Sequence, residues 1–141
     1  MNVGTNPMSA VAKGTFTVEM KPQSEPENSG GVSLGRLSLQ KKFEGDLVAT
    51  SHGEMLTALT PVKGSAGYVA IERVTGTLNG RSGAFVFQHT GTMAQGAQQL
   101  SITVVPDSGT EELSGISGDL KINIVEGQHF YEFEYSLPQS S

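Results

Sequence analysis

Residues 67–93 read GYVAIERVTGTLNGRSGAFVFQHTGTM, with Asn79-Gly80 set between two runs rich in Val, Ile, Phe and Thr. A two-residue type I′ hairpin turn needs positive φ at both central residues, which Asn followed by Gly accepts most readily. That turn puts Leu78 opposite Arg81 and fixes every cross-strand neighbour back to Gly67 opposite Thr92. One face then carries Tyr68, Ala70, Glu72, Val74, Gly76 and Leu78 against Gly91, His89, Phe87, Phe85, Gly83 and Arg81. The other carries Val69, Ile71, Arg73, Thr75 and Thr77 against Thr90, Gln88, Val86, Ala84 and Ser82. The first face holds the aromatics and most of the bulk, so it is assigned to the interior. Glu72 then lies opposite Phe87, and His89 sits one diagonal step away, about 7–8 Å and within reach of a long side chain. Under the opposite assignment Arg73 points inward and Glu72 is solvated.

A second hairpin closes the chain. Leu120, Ile122 and Ile124 share a face with Tyr131, Phe133 and Tyr135 for either two-residue turn around Gly127. Lys121 and Asn123 face Glu132 and Glu134, so one side is dry and the other wet. Residues 12–21 alternate cleanly, with Gly14, Phe16, Val18 and Met20 on one face. Residues 32–43 are extended, but the apolar parity changes between Leu34 and Leu37, which points to a bulge near Gly35. Residues 47–59 follow a turn at Glu44-Gly45-Asp46 whose register stays open. Residues 99–105 alternate Leu100, Ile102 and Val104 against Ser101 and Thr103. The stretch 22–31, PQSEPENSGG, reads as an exposed loop without a regular element. Residues 110–118 admit one helical turn, because Gly115 and Gly118 oppose anything longer.

Eight extended segments with mostly short connections make an all-β, eight-stranded antiparallel up-and-down barrel the economical architecture, since closure removes exposed edges. About eight strands leave an interior that is filled by side chains or holds one small ligand. The expected organisation is a flexible leader over 1–11, one barrel domain over 12–138 and a tail over 139–141. A chain of 141 residues fits a single domain.

The formal net charge of −5 and the lack of a basic cluster beyond Lys41-Lys42 give no footprint for a phosphate backbone, so no nucleic-acid partner is expected. Without cysteine, disulfides and thiolate chemistry are excluded. No stretch approaches the ~20 apolar residues of a membrane-spanning helix, and the first eleven residues lack signal-peptide character. A soluble, cytoplasmic protein with no membrane partner is the expectation.

The runs GVSLGR at 31–36, GEML at 53–56, GYVAIERVTGTL at 67–78, QHTGTM at 88–93 and VVPDSGT at 104–110 resemble a family of small bacterial proteins of unknown function. Members of that family are similar in fold to the plant allene oxide cyclase barrel. The resemblance covers about residues 12–138 and implies the same eight-stranded barrel. It brings no catalytic motif, and none of the cyclase's site residues maps onto this chain. Because cyclase-like barrels associate, it also implies a homo-oligomer.

Glu72 is the leading candidate for chemistry. A carboxylate facing a barrel interior must be paired, hydrated or protonated, and in an apolar pocket its pKa rises, as a general acid or base requires. The plainer reading is a structural carboxylate bonded to a hydroxyl or to His89. His89 could orient Glu72, share its proton or bind a ligand, and is otherwise a satisfied strand histidine. Tyr68, Val74, Phe85 and Phe87 are the expected ligand-lining residues. His52, His89 and His129 fall on separate strands without metal-ligand spacing, so neither a metal site nor a cofactor is expected. Residues 114–118, SGISG, do not fit a nucleophile elbow, and Gly64-Ser65-Ala66-Gly67 leads into a strand rather than a helix, unlike a phosphate cradle. Three functions follow: a barrel binding a small apolar or amphipathic molecule, an isomerase or cyclase using Glu72 as acid or base, and an oligomer-forming structural module.

Overall fold

A computed structural model describes residues 8–138. The strands are β1 (Met8–Pro22), β2 (Glu27–Ser29), β3 (Val32–Gly45), β4 (Leu47–Leu59), β5 (Ala66–Leu78), β6 (Arg81–Ala94), β7 (Ala97–Val104), β8 (Ser117–Val125) and β9 (Gln128–Leu137). They neighbour one another in the order β1-β9-β8-β7-β6-β5-β4-β3-β2, and β1 also pairs with β3. Eight antiparallel strands therefore close into a barrel, with the short β2 as an extra strand along its rim. Turn chemistry and alternation dictate the centre of this sheet. Asn79 and Gly80 take φ values of 47° and 85°, and the register runs from Leu78 opposite Arg81 to Gly67 opposite Thr92 and on to Ala66 opposite Met93. The face bearing Ala70, Glu72, Val74 and Leu78 is the buried one.

Four local readings change. Residues 27–29, expected in a loop, pair with 32–34 across the Gly30-Gly31 turn, where both glycines have positive φ. β1 begins at Met8 rather than at residue 12, because 8–11 pair with 134–137 of β9; residues 1–7 of the expected leader and the tail 139–141 lie outside the described residues. No bulge interrupts β3, which pairs with β4 in unbroken register from Ser33–Leu59 to Phe43–Ala49. The parity change arises because Leu34 faces outward beside β2 while Leu37, Leu39 and Phe43 face inward. In the last hairpin the turn is Glu126-Gly127, so Lys121 meets Glu132 as expected, but Asn123 meets Phe130 instead of an acid. The expected helical turn is one 3₁₀ turn at Glu111–Leu113.

The barrel has a packed end and an open end. At the packed end Phe85, Phe87 and Phe133 form a buried aromatic cluster with ring centroids 5.0–5.7 Å apart, and Leu113 and Ile116 are buried against it. Two side chains tie the turns of that end to the wall. The Tyr131 hydroxyl accepts from Leu47 N–H and donates to Glu44 O, both at 2.9 Å. Asn79 donates to the Tyr135 hydroxyl at 2.6 Å.

One seam is weakly closed. β7 and β8 share a single residue pair, Thr103 with Asp119. Towards the packed end, Pro106 cannot extend the ladder, and the following loop attaches to β6 instead. Val105 and Thr110 N–H bond the carbonyls of Val86 and Ala84 at 2.8 Å, while Ser108 Oγ and Thr110 Oγ1 accept from the N–H groups of those two residues at 3.0 Å. Towards the open end, residues 97–102 and 120–125 have no pairing with each other, which leaves Leu100 and Ile124 half exposed. Hydrogen exchange should reflect this. The seam-facing amides of those two segments are expected to exchange fastest among the barrel strands and the β5–β6 amides slowest; equal protection along both would contradict the split.

Candidate functional site

Between the packed end and the open end lies a layer of buried polar side chains drawn from four consecutive strands. Inward positions repeat every second residue, and β3, β4, β5 and β6 each place one polar residue there: Lys41, Ser51, Glu72 and His89. Lys41 and Ser51 are direct cross-strand partners. Ser51 is opposite Val74, one step diagonal to Glu72, and Glu72 is opposite Phe87, one step diagonal to His89. The strand tilt of a barrel turns these diagonals into contacts.

Glu72 is the hub, with no exposed surface. Lys41 Nζ donates to its Oε1 at 2.9 Å, Ser51 Oγ to its Oε2 at 2.6 Å, and His89 Nε2 to Oε1 at 2.5 Å. The Lys41 ammonium also lies 5.0 Å from the Phe16 ring centroid and 5.9 Å from that of Phe43, so it rests on aromatic faces away from its anion. Burial by itself pushes the Glu72 carboxyl up. The hydrogen bond from His89, the charges of Lys41 and His89, and the hydrogen bond from Ser51 together outweigh it and bring the carboxyl down to about 2. Glu72 is thus held as an anion, where the sequence suggested a raised pKa. Among the described residues, no buried side-chain nitrogen or oxygen lacks a hydrogen-bond partner.

The network reaches the lumen through one residue. The Tyr68 hydroxyl lies 3.3 Å from His89 Nδ1. Burial first, and the nearby charge of Glu72 second, raise the Tyr68 pKa, which keeps the phenol protonated. Its ring crosses Gly91, where a Cβ would collide with the tyrosine Cε1; only glycine lets the ring lie there. Above Tyr68 opens a cavity of about 260 Å³ bordered by Met55, Thr57, Leu59, Ala66, Met93, Gln98 and Leu100. Its wall is mostly apolar, and neither Glu72 nor His89 borders it.

The sequence candidates therefore separate. Glu72, His89 and Tyr68 are brought together, and of the expected ligand-lining residues Tyr68 borders the cavity. Val74, Phe85 and Phe87 do not; they are fully buried in the packed layer, because the Phe133 and Leu113 side chains fill the lumen beside them. Lys41 and Ser51 are not among the candidates that the sequence singles out. Their signal was parity: Lys41 interrupts the inward series Leu37, Leu39, Phe43, and Ser51 continues Leu47, Ala49. His52 points outward, and His129 packs against Phe16 at 5.0 Å.

Fold and site define a class: a small closed antiparallel barrel with a plugged end, a buried ion-pair layer and a shallow apolar mouth. The chain belongs to the DUF3224 family of proteins of unknown function, whose model matches residues 12–135. It is similar to a crystal structure of a DUF3224 protein of unknown function from Shewanella oneidensis MR-1, at 48% identity and a TM-score of 0.88, over 94% of this chain and 100% of that one. No curated protein matches the chain.

Proposed function

We propose that this barrel binds a small apolar or amphipathic molecule in its open end. The observation that carries the reading is the cavity of about 260 Å³ bordered by Tyr68. Its volume is just below the range of about 300–1,000 Å³ usual for small-molecule sites, and an apolar wall with few convergent polar groups is their usual make-up. Two methionines, Met55 and Met93, give the wall adaptable surface. Acid–base catalysis by Glu72 has less support: the carboxylate is fully buried, saturated by three donors and held near 2.

The fluorescent probe N-phenyl-naphthylamine tests the reading. It is expected to brighten on saturable binding to the parent protein and to do so weakly or not at all with Met93→Trp, whose indole would occupy the mouth. Met93 is only half buried, so the substitution spares the packed layer. Absence of saturable binding to the parent, or equal binding to the filled variant, would count against a lumenal site.

A further inference from the structure

We propose that the free edge of β7 is a docking site for an extended peptide segment of a partner protein, which adds to the sheet as a strand in the β7–β8 seam with apolar residues turned into the open end. The inference goes beyond the binding reading above, because it concerns the barrel wall beside the cavity.

Alternation shows which backbone groups lack partners. Successive residues of a strand turn their N–H and C=O groups to opposite sides. Val105 N–H bonds Val86 O of β6, so Thr103, Ser101 and Gln99 face β6 as well, and Gln98 and Leu100 turn their backbone groups to the seam. Val125 pairs with Gln128 at the two-residue turn, so Ile122 and Ile124 of β8 turn theirs to the seam from the other side. Thr103 with Asp119 is the single residue pair between the two strands. Gln98, Leu100, Ile122 and Ile124 therefore present donors and acceptors at strand spacing, and among the described residues no strand meets them.

Sheet edges are ordinarily blunted by charge, proline or a bulge. Residues 97–102, AQQLSI, contain no charged residue and no proline, and their pairing with β6 is unbroken. Such a row is the template for strand addition, in which main-chain bonds supply affinity and alternate side chains supply selectivity. The surroundings set the pattern of the incoming segment. Leu100 and Ile124 lie on the lumenal face, 49% and 59% exposed, and Gln98 and Leu100 also border the apolar cavity. Inward residues of the segment thus meet aliphatic carbon, where a charge would be desolvated without a counter-ion. A second copy of the barrel is the weaker occupant. The free edge looks across the seam at β8, and a strand already built into another barrel wall would bring its own β8 into the same gap.

A blocked heptapeptide alternating Thr and Val, added to the intact protein, tests this by amide hydrogen exchange read residue by residue. Strand addition recognises main chain, so the probe pairs without the partner's own sequence. At saturating peptide, exchange at Gln98 and Leu100 is expected to slow about tenfold, one hydrogen bond's worth, while Gln99 and Ser101, already bonded to β6, stay as they were. In the added strand the residues whose side chains turn inward are those whose backbone faces β7. N-methylation at the Val amides should therefore abolish the slowing, and N-methylation at the Thr amides should leave it. Unchanged exchange at Gln98 and Leu100, uniform slowing of all strands, or the same slowing by the Val-methylated peptide would overturn the inference. Slowing that rises with protein concentration in the absence of peptide would overturn it in favour of a second copy. The naphthylamine probe keeps the two readings apart: saturable probe binding without a peptide effect leaves the cavity reading standing and this one fallen, and peptide protection without probe binding does the reverse.

Discussion

Replacing Glu72 by Gln is expected to cost the fold about 3–5 kcal/mol, the penalty for removing one partner of a buried ion pair. Three donors, Lys41, Ser51 and His89, converge on its two oxygens. A glutamine offers one acceptor oxygen and an amide that itself donates, so at least one of the three loses its acceptor, and the Lys41 ammonium loses its counter-charge inside the barrel. In a domain of this size the loss corresponds to a melting-temperature drop on the order of 10 °C or more. Urea melts of the two proteins measure it. The companion variant Lys41→Met should damage Glu72→Gln by far less than it damages the parent, because the stranded charge is then gone and the two effects are not additive. A Glu72→Gln protein as stable as its parent would refute the role of the carboxylate as anchor of this layer.

Acid should dismantle the same layer. The Glu72 carboxyl is held near 2 in the folded protein against an ordinary 4.5. A group whose folded pKa is depressed contributes stability that is complete above its unfolded value and is lost as pH falls towards its folded one. Between pH of about 5 and about 2 the parent should therefore lose about 3 kcal/mol on account of this residue alone, at roughly 1.4 kcal/mol per pH interval of one between the unfolded and folded values. Glu72→Gln, with nothing to protonate at that position, should show a flatter acid limb by the same amount. Parallel limbs for the two proteins would mean that the carboxylate gains nothing from its partners.

A buried ion pair in a barrel of this size is not needed for stability as such, since well-packed apolar residues of the same volume do as well or better. Here it has a geometric consequence. Charge and hydrogen bonds converge on Glu72, and through His89 they reach Tyr68, which borders the open end. The polar layer and the apolar mouth meet at Tyr68, which is bonded to His89 and borders the cavity.

Much of this was legible one hairpin at a time. Asn79-Gly80 implied the turn, the turn implied the β5–β6 register, and the bulk on one face implied that Glu72 and His89 point inward together. β2 was hidden because a three-residue strand between Pro26 and the Gly30-Gly31 turn carries no alternation to detect, and its pairing rests on those two glycines. The false bulge in β3 came from taking Leu34 as an inward residue; its place is on the outer face, beside β2.

What the amino-acid sequence determined by itself is the all-β barrel, its two firm hairpins and the acid–imidazole pair, because strand alternation has a period of two residues and a two-residue turn sets register locally. What only the tertiary structure decided is everything that depends on one hairpin meeting another. The β3–β4 register across Glu44-Gly45-Asp46 brings Lys41 opposite Ser51 and, through the barrel tilt, onto Glu72, which turns an expected acid or base into a sealed anion. The filling of one end likewise joins Phe85 and Phe87 of β6 to Leu113 and Phe133, more than twenty positions further along the chain. Such contacts are set by closure of the whole sheet, and no local pattern of side chains encodes them.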